Sequence, residues 1–190
     1  MSQGRPDIPA DMPPRDAARA GEAMRAALAD AAPLVQRYLF GVCGNWDQAE
    51  DLAQSVLLKA WDKRAGFDGR ANVRTWVFAI ARNHWRDQLR RRRSAGVEQP
   101  MTEDMAIRDP SPSPLEHAAR GEMVAVLQAA VAQLPDEQRE ALSLRESEGL
   151  TFAQIAGLLG VPCATVKSRV RYALLKLADA LQRFRQELES

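Results

Sequence analysis

Metal and redox chemistry find few handles in this sequence. Its two cysteines, Cys43 and Cys163, lie far apart with no Cys-x-x-Cys partner, so neither a disulfide framework nor a zinc site is expected. The two histidines, His84 and His117, have no cysteine, serine or carboxylate at the spacing of a known catalytic motif, which argues against an enzyme and against a bound cofactor. No run approaches eighteen apolar residues, and no apolar segment follows a basic start. A membrane span and an export signal are therefore not expected, which leaves the cytoplasm. Aromatics make up 6% of the chain and alternating β-branched runs are nearly absent. What remains is rich in Ala, Leu, Arg, Gln and Glu, residues that lose least on entering a helix. The expected class is all-α, and 190 residues can hold one ordinary domain or two small ones.

A net charge of +1 says little until it is mapped. Ten basic residues lie between Lys63 and Arg93 against Asp68 and Asp87, and six between Lys167 and Arg185 against Asp179. Between them, Ser94–Glu122 carries six acidic residues against Arg108 and Arg120. Two basic blocks around an acidic spacer suggest two modules, each with a polyanion-facing surface. Residues 1–21 hold four prolines and no helical period and read as a disordered leader. Residues 22–93 form the first module, with Pro33 opening a second helical turn and Gly41, Gly44 and Asn45 breaking the chain. Residues 94–114, with four prolines, form a flexible linker that permits many relative placements of the modules. Residues 115–190 form the second module.

In the first module, Leu52, Val56, Leu57, Ala60 and Trp61 recur at helical spacing, as do Val73, Trp76, Val77, Ile80 and Ala81. On the latter helix Asn83 and Asp87 share a face, and Trp76 with Ile80 share another, expected in the core. Basic, amide and aromatic groups together, Trp85 among them, suit single-stranded or distorted nucleic acid; a solubilising surface fits as well. The preceding helix shows Asp47, Glu50, Asp51 and Gln54 outward with Leu58 nearby. That is a poor nucleic-acid surface and a plausible protein-docking one, although an ordinary solvated acidic face also fits.

The second module is more specific. Thr151 with Gln154 makes a capping box, and Ile155, Ala156 and Leu159 face inward. Gly160-Val161-Pro162 turns the chain, and a final helix buries Val166 and Val170. Its other face holds Thr165, Lys167, Ser168, Arg169, Arg171 and Tyr172. This is the make-up of a helix-turn-helix, whose second helix enters the major groove.

These segments together resemble a known family. Asp-Gln-Ala-Glu-Asp-Leu-Ala-Gln at 47–54 with Ala-Trp at 60–61 is similar to the polymerase-binding segment of extracytoplasmic-function sigma factors. Phe67-Asp-Gly-Arg, Trp76 to Asn83, Asp87 and Arg90-Arg91 resemble their promoter-melting and −10-recognition segment. Leu134-Pro-Asp-Glu-Gln-Arg, Glu148-Gly-Leu-Thr-Phe-Ala-Gln-Ile-Ala and Thr165-Val-Lys-Ser-Arg resemble region 4, which binds the −35 element. The resemblance spans about residues 32–180 and implies two small helical domains. It also implies that Asp47, Asp51, Gln54 and Leu58 dock on the β′ clamp helices of core RNA polymerase, with the β subunit a further partner. Phe67, Asp68, Gly69, Arg70 and Asn72 would form a pocket for a flipped −10 base beside Asn83 and Asp87, with Arg90 and Arg91 also in the −10 DNA-binding set. Thr165, Lys167, Ser168, Arg169, Arg171 and Tyr172 would meet the −35 duplex. An anti-sigma factor is an implied inhibitor. The chain departs from the family pattern at Ser55, where a glutamate is usual, at Cys163, and at Ala173-Leu174, where a second basic pair is common. A stand-alone helix-turn-helix regulator with an N-terminal partner domain is the alternative; it leaves the acidic helix and the Trp76–Arg93 segment unexplained.

Overall fold

Gly44 and Asn45 decide where the first helix stops and the second starts. In the computed structural model, which describes residues 14–69, 71–95, 114–146 and 150–189, α1 runs Pro14–Cys43. Gly44 takes φ 73° and donates its N–H to the Phe40 carbonyl at 2.8 Å, the left-handed stop that glycine adopts without Cβ strain. The Asn45 side chain accepts from the Gln48 N–H at 2.8 Å and caps α2, Trp46–Lys63. A 3-10 turn at Arg64–Gly66 leads to a loop. The Asn72 side chain then caps α3, Val73–Ser94, accepting from the Arg74 N–H at 2.9 Å. Arg91, Arg92 and Arg93 fill the last turn of α3, where cations complement the helix dipole.

Two expectations for α1 are corrected. Residues 14–21, expected in the leader, are helical, and Pro33 lies inside α1 rather than opening a helix. Proline there forfeits one backbone bond, and both Pro33 and Ala29, whose carbonyl loses its donor, are exposed to water. Gly41 also lies within α1, where it packs directly against Ser143 of the second module and leaves no room for a Cβ. Residues 1–13 and 96–113, with most of the expected leader and linker, lie outside the described residues.

The three helices close around Val35, Tyr38, Leu39, Val56, Ala60, Val77, Phe78 and Ala81, all without exposed surface. Phe78 meets Tyr38 edge-on, centroids 5.7 Å apart, a favoured aromatic geometry.

The second bundle comprises α4 (Pro114–Ala132), α5 (Asp136–Glu146), α6 (Phe152–Leu159) and α7 (Cys163–Leu188). Pro114 stands at the first helical position, where its missing N–H costs nothing. Both halves of the expected capping box at Thr151 and Gln154 are present, and Gly160 takes φ 68° between α6 and α7. Leu134, Leu144, Leu150, Ile155 and Val166 fill the core. Among the described residues every regular element is helical. The two bundles touch: α5 lies on α1 and α6 on α3, and their apolar interiors form one cluster.

Candidate nucleic-acid interface

Three surfaces carry the residues singled out from sequence. On α2, Ala49, Leu52, Ala53, Val56 and Ala60 are buried, which turns Asp47, Asp51, Gln54 and Leu58 outward, all exposed. At 100° per residue these four lie within about 60° of one another. The stripe is three polar groups with an aliphatic end, and Leu58 is 67% exposed.

The second surface is built by α3 and the loop before it. Its buried set is Val77, Phe78, Ala81 and Trp85. That set is centred roughly 90° around the helix from the expected inward set of Val73, Trp76, Val77, Ile80 and Ala81. The rotation has two consequences. Trp85 is a core residue, 7% exposed, and no aromatic for bases. Trp76 and Ile80, expected in the core, are half-buried and fall on the same stripe as exposed Asn83 and Asp87. Half-buried Phe67 leans on Trp76 with centroids 5.2 Å apart, beside exposed Asp68 and Gly69. An amide, a carboxylate and two aromatic rings thus share one face. Arg90 is ion-paired with Asp87, and a surface cleft is lined by Asp87, Arg90, Arg91, Ser94 and Ala95. Asn72 commits its side-chain oxygen to capping α3, so its expected base contact is left to its amide nitrogen. Arg70 lies outside the described residues.

His84, between Asn83 and Trp85, accepts from Lys59 of α2, with Nζ 2.6 Å from Nδ1. Burial first, and the Lys59 cation second, hold its pKa below the ordinary histidine value. Folding therefore favours neutral His84. The stability it contributes is present above its unfolded pKa, near 6.5, and is lost as pH falls from there toward the lower folded value. Urea midpoints should drop between pH 7 and pH 5.5, and His84→Gln should flatten that drop; an equal drop in both chains would assign it to other groups.

The third surface is the helix-turn-helix. Lys167, Arg171 and Tyr172 of α7 are exposed, and Thr165 is half-buried. The Ser168 hydroxyl donates to the Thr165 carbonyl at 2.9 Å. Arg169 is different: it is turned toward α5 and ion-paired with Glu137, so it braces the bundle apart from the other five.

Two residues here escaped the sequence reading. Arg145, at the end of α5, stacks its guanidinium 5.0 Å from the Phe152 ring centre, and Lys167 Nζ lies 5.9 Å from the same ring. Phe152 thus gathers two cations from separate helices through its negative face. Its position at the start of α6 was the available signal, since an aromatic directly after a helix cap has one face outside the core.

The fold and these surfaces define a two-module helical protein with a helix-turn-helix at one end and an aromatic-amide face on the other. The family models for Sigma-70 region 2 and Sigma-70, region 4 match residues 28–95 and 125–177. The chain is 37% identical over 148 residues to the ECF RNA polymerase sigma factor RpoE of Cereibacter sphaeroides, covering 77% of this chain and 79% of that one. It is 32% identical over 160 residues to the ECF RNA polymerase sigma factor EcfG of Rhodopseudomonas palustris, covering 84% and 86%. The solved structure of the sigma factor RpoE of Bartonella quintana, in complex with the anti-sigma factor NepR, matches with TM-score 0.68 and 28% identity, covering 85% of this chain and 98% of that one. The chain belongs to the sigma-70 family, as a sigma factor of the extracytoplasmic-function type.

Proposed function

We propose that the α2 stripe docks on the β′ clamp helices of core polymerase, that the Phe67–Asp87 face takes the −10 element and aids melting, and that α7 reads the −35 element. The observation that carries this reading is the separation of chemistries. A polar-acidic stripe with one aliphatic anchor suits protein; a basic helix above a capped turn suits duplex; and exposed amide beside aromatic rings suits unpaired bases. Residues 22–93 and 115–190 serve as the two working units, in the bacterial cytoplasm with the polymerase. An anti-sigma factor is the proposed inhibitor, supported by the complex in which the Bartonella relative was solved. No helix among the described residues is long and apolar enough to cross a membrane.

Run-off transcription with purified core polymerase on genomic fragments tests the whole reading, and no promoter-specific product under any condition would reject it. Two variants divide the labour. Asn83→Ala should slow open-complex formation at cognate promoters while leaving polymerase capture unchanged, at a cost of about 1–3 kcal/mol for one lost base contact. If the same loss occurs on templates altered at the −10 base, Asn83 is not reading it. Lys167→Ala and Arg145→Ala should each weaken binding to a −35 duplex and lower its salt slope by about one unit, as for a lost phosphate contact. Unchanged slopes in both would remove Phe152 and its two cations from the DNA.

A further inference from the structure

Near the end of α2, two arginines from other elements converge on Trp61. Arg25 of α1 holds its guanidinium carbon 4.9 Å from the ring centre, and that of Arg64, in the 3-10 turn, lies 4.1 Å from it. Arg64 also donates from Nη1 to the Trp61 carbonyl at 2.7 Å. Trp61 itself is half-buried and packed on the core, which makes its ring a fixed platform. An arginine stacked on a ring spends its flat face there and keeps its N–H edge for an outside acceptor.

Both arginines are exposed. Neither is ion-paired with a described carboxylate, whereas Arg82, Arg90 and Arg93 of α3 all are. Their distances to the shared ring place the two cations no more than about 9 Å apart. Like charges that close repel, and an anion held between them offsets the repulsion. Phosphate suits the pair best, since it accepts from a guanidinium edge in bidentate fashion.

Location says which phosphate. The Phe67 N–H donates to the Arg64 carbonyl at 3.1 Å, so the pair abuts the first residue of the face assigned above to unpaired bases. Arg90 and Arg91 stand at the far end of that face, about 26 Å along α3 from Val73. A strand with one base flipped onto the face must carry its backbone off it on both sides. The docking stripe next door offers a poorer occupant. A partner matched to Asp47 and Asp51 is basic, and two unpaired arginines repel it.

We propose that Arg25 and Arg64, held by Trp61, form a backbone clamp for the unpaired −10 strand where it leaves the Phe67 end of its pocket. The proposal rests on the sigma-factor reading above and adds a binding site to it. The clamp carries no sequence preference, since phosphates position a strand and bases specify it.

Holoenzyme assembled from core polymerase and the full chain tests it, with three labelled single strands carrying the −10 sequence that run-off transcription defines. One ends close around the flipped base, one is extended on its 5′ side and one on its 3′ side. Arg25→Gln with Arg64→Gln should weaken binding of an extended strand and leave the short one within twofold. Its salt slope should fall by about 0.7 per lost contact, so the advantage of the unaltered chain should shrink about sevenfold between 50 and 200 mM salt. Arg25→Lys keeps the charge and should recover most of its share. Melting and polymerase capture should stay as in the unaltered chain. Equal weakening on all three strands, or none on any, would overturn the clamp. So would loss of polymerase capture in the double variant, which would place the cluster in a protein interface. Absence of any promoter-specific run-off from the unaltered chain would instead remove the sigma-factor reading, and that control is run first.

Discussion

Leu58→Arg should abolish capture of core polymerase at concentrations that saturate the unaltered chain. Leu58 ends the Asp47–Asp51–Gln54 stripe and is 67% exposed, so the free protein should melt as before; no packing is lost and the new guanidinium is solvated. In a docked interface the same guanidinium is buried against a surface fitted to an aliphatic chain. Burying an unpaired charge costs about 3–5 kcal/mol, or more than a hundredfold in affinity. Asp51→Ala on the same stripe should cost less, since rim charges chiefly alter association rate. Pull-down with purified core polymerase and a parallel thermal melt decide the matter. If Leu58→Arg binds polymerase within threefold of the unaltered chain, the docking face is elsewhere.

The parts legible in sequence were those whose physics is local. The capping box at Thr151 and Gln154 fixes its helix start by reciprocal hydrogen bonds three residues apart, and Gly160 must supply a left-handed turn; both are written in a few adjacent residues. The α2 stripe was legible because apolar and polar positions separate cleanly at helical period. Where the sequence misled, partners distant in the chain decided. Gly41 reads as a breaker until Ser143 of another module is seen packed on it. Pro33 reads as a helix start, but α1 is held along its length by buried Leu28, Ala31, Val35, Tyr38 and Leu39, and packing overrides one lost hydrogen bond. Asp136 and Glu140 carried no signal of these pairings in the sequence; only the tertiary structure shows Arg93 and Arg82 opposite them. Arg169 is the clearest case on the candidate site: its spacing suits DNA, and Glu137 claims it.

The phase of α3 is the misreading with most consequence, because the aromatic-amide face depends on it, and Phe78→Ala tests it directly. With nearly every position apolar, aromatic or basic between Val73 and Arg86, periodicity alone permitted an inward face centred near Val73, Trp76 and Ile80. The structure instead buries Val77, Phe78, Ala81 and Trp85, which sets Asn83 almost opposite the core. Phe78 has no exposed surface and meets Tyr38 edge-on. Removing its ring should cost about 3–5 kcal/mol in lost burial and residual cavity, a large share of the 5–15 kcal/mol that typically holds a domain folded. A melting temperature lower by about 10 °C is the expected readout. Phe78→Leu should recover most of it, since an aliphatic chain refills part of the space. Trp76→Ala, by contrast, should cost less stability and more promoter melting, because that ring shares its stripe with Asn83. The reverse order, with Trp76→Ala unfolding the protein and Phe78→Ala nearly silent, would mean that α3 is turned by about a quarter of a revolution. Asn83 would then lie beside the core and could not meet a flipped base.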